Sequence, residues 1–191
     1  GNKVGGIFGR GEKLNNQQTQ TEVKNSTING TTEVGGIGGW SSQETNTHIV
    51  TDSLISGSDM VGGIIGTISG ELQNASVIKT TITGKTTIGG IIGESNKFHN
   101  RNVKINRCHV QNSDIIGNRF VSGLVGSTSN SEITNCSATG TVEGEEDVAG
   151  LISTGNNTII NKTYCTNHVS GEKNVAAFVR DIHTVTITDC F

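Results

Sequence analysis

The chain has 191 residues, of which 31% are hydrophobic and 4% aromatic, with 27 glycines, no proline, a formal net charge of −3 and a pI near 5.9. So little apolar material is thin for a globular core, and the acidic balance argues against nucleic acid or an anionic membrane as partner. No run approaches a transmembrane helix in length and no signal peptide is present, so membrane insertion of this segment is not expected.

The apolar residues recur in register. Units open at Val4, Val34, Val61, Ile88, Val121, Val148 and Val175, at spacings of 30, 27, 27, 33, 27 and 27. Four residues ahead of each opening aliphatic after the first stands a glycine: Gly30, Gly57, Gly84, Gly117, Gly144 and Gly171. Two residues earlier again comes Ile28, Ile55, Ile82, Ile115, Val142 or Val169. A fixed period in this range marks a solenoid, in which each unit buries its apolar face only against its neighbours. Helix-period apolar faces are missing, and the missing proline suits ladders that use every N–H. The third unit is the cleanest, with Val61–Gly66, then Leu72-x-x-Ala75-x-Val77, then Ile82-x-Gly84. Three β-rich segments between polar corners predict three strands per coil.

The expected fold is therefore all-β: a parallel β-helix of about 27 residues per coil, seven coils with the last incomplete, right-handed by the usual crossover preference. Residues 1–191 form one β-solenoid domain. Because Gly1 lies inside the first unit and Phe191 partway through the seventh, the chain is expected to be a fragment of a longer protein. The two long units should keep their strand register and add residues only at a corner. Gln18 and Thr45 occupy the column that later holds Leu72, Ile105, Ile133, Ile160 and Ile187, so the early core should be poorer.

Strand alternation from Val61 puts Gly62, Ile64 and Gly66 on the face opposite Val61. That face carries Ile7, Ile37, Ile64, Ile91, Leu124, Leu151 and Phe178, a stripe that needs covering. Either the glycines let the chain bend over the column, or it is a docking ridge for another part of the parent protein.

The hexads Val4–Gly9, Val34–Gly39, Val61–Gly66, Ile88–Gly93 and Val121–Gly126 resemble the GLUG motif, which Gly123-Leu124-Val125-Gly126 matches letter for letter. Val148–Ser153 and Val175–Arg180 decay from it. Similar repeats occur in bacterial surface adhesins and in the non-catalytic part of secreted metallopeptidases that cut immunoglobulin A. The resemblance implies an extracellular scaffold and brings no catalytic residues.

Direct searches for chemistry agree. HExxH, GxSxG, CxxC and EF-hand spacings are absent, and the acids fall at different positions of their coils, so no carboxylate pair for glycoside chemistry forms. No catalytic residue, metal ligand or cofactor is expected. Cys108, Cys136 and Cys190 share a repeat position that holds Ala75 in the third coil, which favours small buried thiols over bridges. His48 falls near an inward column. The longest corner gathers Lys97, Phe98, His99, Arg101, Lys104 and Arg107, a candidate binding loop in an otherwise acidic chain.

The sequence thus predicts a non-enzymatic repeat segment of a secreted or cell-surface bacterial protein, a rigid spacer and adhesion surface for a protein or glycan ligand or for the rest of its own chain. The alternative is the non-catalytic region of a secreted host-directed metallopeptidase. A carbohydrate-active β-helix enzyme is third.

Overall fold

A computed structural model describes residues 1–11, 20–96 and 102–191. The described residues form 23 strands and no helix, and every strand pairing between coils is parallel. The hexad aliphatics stack in one ladder, Val4 on Val34, Val61, Ile88, Val121, Val148 and Val175. A second ladder joins Ile28, Ile55, Ile82, Ile115, Val142 and Val169, and a third joins Thr45, Leu72, Ile105, Ile133, Ile160 and Ile187. Neighbouring coils are therefore one repeat apart in sequence and about 4.8 Å apart in space. Thr45 is buried in its column, while Gln18 lies outside the described residues. Register is kept on both sides of the long corners. Gly11 pairs with Ser41 at a 30-residue offset and Thr21 with His48 at 27; Ile68 pairs with Ser95 at 27 and Leu72 with Ile105 at 33.

The glycines ahead of each hexad leave room for the aliphatics. A Cβ on Gly57 would sit 2.8 Å from Val61 Cγ2 and 2.9 Å from Val34 Cγ2, and one on Gly84 would sit 2.7 Å from Ile88 Cγ1. A methyl group there would push apart the residues that fill the core.

Each of the first four coils has four strands where the spacing predicts three, and the later coils join some of them into longer strands. The third coil runs Asp59–Gly62, Ile65–Ile68, Glu71–Ile78 and Thr81–Thr83. The extra corner is the double glycine, which breaks the hexad in two. A Cβ on Gly63 would overlap the Gly90 carbonyl oxygen and sit 2.7 Å from Val77 Cγ2, so only hydrogen fits. The chain then folds back until the second half of the hexad lies against the first. Gly66 packs on the backbone of Glu33 and Val34, and Gly93 on that of Met60 and Val61.

That bend decides the fate of the supposed ridge. Ile37, Ile64, Ile91, Leu124 and Leu151 are fully buried and belong to one continuous core, with Phe178 packed against it. Only Ile7, in the first coil, is 54% exposed. Strict alternation fails at the glycines, so these seven residues do not form a free docking face.

The remaining corners use non-glycine residues at positive φ. One set is Asn25, Asp52, Lys79 and Asn112, and another is Thr47, Asn74, Arg107, Asn135, Lys162 and Asp189, all with φ between 48° and 59°. The residue after each corner is small or polar, and where it is Ser, Thr or Cys it closes the turn. Ser53 Oγ donates to Thr51 O at 2.7 Å, Thr80 Oγ1 to Ile78 O at 3.0 Å, Cys136 Sγ to Thr134 O at 3.1 Å and Thr163 Oγ1 to Asn161 O at 3.0 Å. Cys136 thus makes with its thiol the turn-closing bond that Thr163 makes with a hydroxyl one coil on. All four cysteines are free, Cys108 and Cys136 buried. His48 occupies the same column as Cys108 and Cys136, buried, with Nδ1 bonded to Thr21 Oγ1. Burial lowers its pKa to about 4.

Candidate functional site

The fold-back that buries the ridge also creates the one concave feature we single out. The residue before each hexad, Lys3, Glu33, Met60, Thr87, Phe120, Asp147 or Asn174, has φ between 50° and 60° and forms a corner. The residue after each hexad, Arg10, Trp40, Thr67, Glu94, Ser127, Thr154 or Asp181, forms a second ladder. The two columns face each other across the packed glycines, as the 3.4 Å contact of Thr67 Oγ1 with Met60 S shows. A groove of about 200 Å³ opens between them, lined by Asp59, Met60, Thr87, Glu94, Phe120, Ser127 and Thr154.

Charged clusters lie beyond both ends of it. In the first coils Lys3 pairs with Glu33, and Lys3 Nζ and the Arg10 guanidinium lie 5.5 and 5.0 Å from the Trp40 ring centre. In the last coils the Asp147 carboxylate is 3% exposed and held by Arg119 Nε at 3.1 Å, Arg180 Nη2 at 3.0 Å and Asn174 Nδ2 at 2.8 Å. A carboxylate so enclosed needs these partners to offset its lost hydration. Ser153 Oγ adds a 2.6 Å bond to Asp147 O, using a side chain where earlier hexads have glycine.

Of the residues expected to form a binding loop, Lys97, Phe98, His99 and Arg101 lie outside the described residues. Lys104 and Arg107 are exposed. Lys104 stacks between Glu71 and Glu132, with Nζ 3.5 Å from Glu71 Oε1, a modest surface pair within the ladder. Arg107 occupies a positive-φ corner.

Among the described residues no group of three or more His, Cys, Asp or Glu is placed to hold a metal, and no helix is long and apolar enough to cross a membrane. Burial pushes the Cys108 thiol well above its ordinary range and Cys165 up to about 11, which removes the thiolate a nucleophile would need. Burial likewise lowers the pKa of His109, whose Nδ1 lies 2.8 Å from Ser137 Oγ. None of these three lines the groove.

The groove has no positive signal in the sequence. The hexads are alike, whereas the lining comes from the two flanking positions, where residue type changes at every coil.

Residues 123–143 match the model of the GLUG motif. No curated protein matches the sequence. Among solved structures, a "putative immunoglobulin A1 protease" from Bacteroides ovatus superposes with a TM-score of 0.80 at 17% identity, covering 88% of this chain and 57% of the other. At that identity the likeness speaks for the fold, and this chain spans little more than half the length of that protein. The chain is a parallel β-solenoid in which residues 123–143 match the GLUG motif.

Proposed function

We propose that this chain is a rigid, non-enzymatic repeat segment of a secreted or cell-surface bacterial protein that presents its flanking-residue groove as a binding surface. The observation that carries this reading is the continuous ladder of hexads. One uninterrupted core makes a stiff rod about 30 Å long, while the positions flanking each hexad vary freely along it. Scaffolds of this kind position binding residues without moving them. The test is to label intact cells of the producing bacterium with antibody against the chain, then measure binding of the purified chain to immobilised mucin and immunoglobulin A1. Surface labelling with saturable binding is expected. Confinement to the cytoplasmic fraction overturns the reading.

A second reading rests on the Bacteroides ovatus neighbour's description. Here the chain is the non-catalytic region of a peptidase acting on immunoglobulin A1. The full-length protein would then cleave that antibody, and removing the repeats would raise KM while leaving kcat nearly unchanged.

A further inference from the structure

We propose that the groove between Met60 and Phe120 takes one pyranose unit of a neutral glycan. This deepens the binding-surface reading and rests on it. Four observations converge on a sugar.

The walls offer side chains and no free backbone edge. Main-chain N–H and C=O groups bond from coil to coil along the axis, as in Ile64 N to Ile91 O at 2.9 Å and Ile91 N to Leu124 O at 2.9 Å. An extended peptide that binds by adding a strand needs an unpaired edge, which this groove lacks.

The lining has the composition a sugar ring needs. Glu94 and Asp59 supply carboxylates, Thr87, Ser127 and Thr154 supply hydroxyls, and Met60 and Phe120 supply apolar surface. A pyranose has hydroxyls that donate and accept around its rim and C–H groups on its faces. Among the described residues no cation lines the groove. Arg119 lies 4.5 Å from the Phe120 ring centre and is engaged by Asp147 and Glu146. Two carboxylates without a free cation repel sialylated, sulfated or uronic chains.

Hydrogen-bonding capacity is left over on one side. Asp59 Oδ1 accepts from Thr86 Oγ1 at 2.7 Å and from Met60 N at 3.0 Å. By contrast, among the described residues Glu94, partly exposed at the groove, makes no hydrogen bond or ion pair, so its carboxylate can accept from a bound hydroxyl. Thr154 Oγ1, on the same lining, is buried without a partner.

The size fits one ring. About 200 Å³ falls below the roughly 300–1,000 Å³ of pockets that hold drug-sized ligands.

The test applies the chain to an array of neutral oligosaccharides ending in galactose, glucose, mannose or N-acetylglucosamine, beside sialylated and sulfated counterparts, with affinities checked by calorimetry using methyl glycosides. Glu94→Gln and Phe120→Asn are compared with wild type, asparagine being suited to the φ of 55° at position 120. Binding to at least one neutral glycan is expected, weakened tenfold or more by either variant, with the far-ultraviolet circular dichroism unchanged. Glu132→Gln, outside the groove, should bind as wild type. Binding confined to anionic glycans, neutral binding indifferent to both groove variants, or a blank array overturns the proposal. A blank array with retained binding to immobilised immunoglobulin A1 overturns the sugar while leaving the broader binding-surface reading standing.

Discussion

Val61 and Val175 open two copies of one hexad, yet Val61 is fully buried and Val175 is 44% exposed. Ile82 and Ile187, likewise on core ladders, differ in the same way. Residue type does not explain this; position along the stack does. Val61 has Val34 on one side and Ile88 on the other, whereas Val175 has only Val148. Burial in a solenoid is supplied by the next coil, so stability adds up from neighbour to neighbour. The last described coil also keeps fewer glycines, with Ala177 and Arg180 at hexad positions that are glycine in the middle.

The strongest way to break this comparison is to compare glycines. Gly63→Val forces a side chain into the Gly90 carbonyl and into Val77, so we expect a loss of about 4 kcal/mol or more, or no cooperative transition. Gly155→Ala, where the nearest atom is Val185 Cγ2 at 3.2 Å, should cost under about 1 kcal/mol. Urea denaturation of the two variants measures the difference, and similar losses would refute the neighbour-by-neighbour account.

A gentler version compares cavities. Ile82→Ala should cost about 2–5 kcal/mol, whereas Ile187→Ala, already partly in water, should cost about 1 kcal/mol. Equal midpoints would mean that the last coil is covered in solution.

His48 gives the comparison a pH axis. Its folded pKa of about 4 lies below the ordinary 6.5, so the folded state resists protonation. Its contribution is fully present above pH 6.5 and is lost as pH falls toward 4, amounting to about 3 kcal/mol once both states would otherwise be protonated. His48→Ala, matching Ala75 one coil on, should flatten that part of the stability–pH curve, measured by denaturation between pH 7 and 4.

The smallest effect concerns the corners. Thr87 and Thr184 are β-branched yet held at φ of 58° and 55°. Thr87→Asn and Thr184→Asn should each stabilise by about 1 kcal/mol, because backbone strain is local and does not depend on a covering coil. A gain confined to Thr87, read from thermal melts, would show that the last coil does not hold its corner.

The period was legible because each coil repeats the same three requirements: an aliphatic at the hexad start, a glycine four residues before it, and an aliphatic two before that. The solenoid and its ladders follow from those spacings. The fourth strand was not legible. Gly62 and Gly63 read equally well as a straight strand with bare faces, and only the close approach of Gly66 to Glu33 shows that the chain turns back. For the same reason the column at Ile64 reads equally as an open ridge or as a face covered by a bend at the glycines, and the structure shows the bend. The left-handed corners were hidden differently, since Lys3, Met60 and Phe120 carry none of the glycine or asparagine chemistry that announces such a conformation. The groove inherits both difficulties, because one wall stands on those corners and the other begins after the fold-back.

The same corners separate shape from surface chemistry. Lysine, glutamate, methionine, threonine, phenylalanine, aspartate and asparagine all stand at one backbone conformation in successive coils. A substitution there can change what the surface recognises without altering the stack beneath it. Duplicating one unit of about 27 residues would leave the existing contacts in place and lengthen the groove by about 4.8 Å. Reach and recognition can therefore change by separate genetic events, unit duplication for one and point substitution for the other.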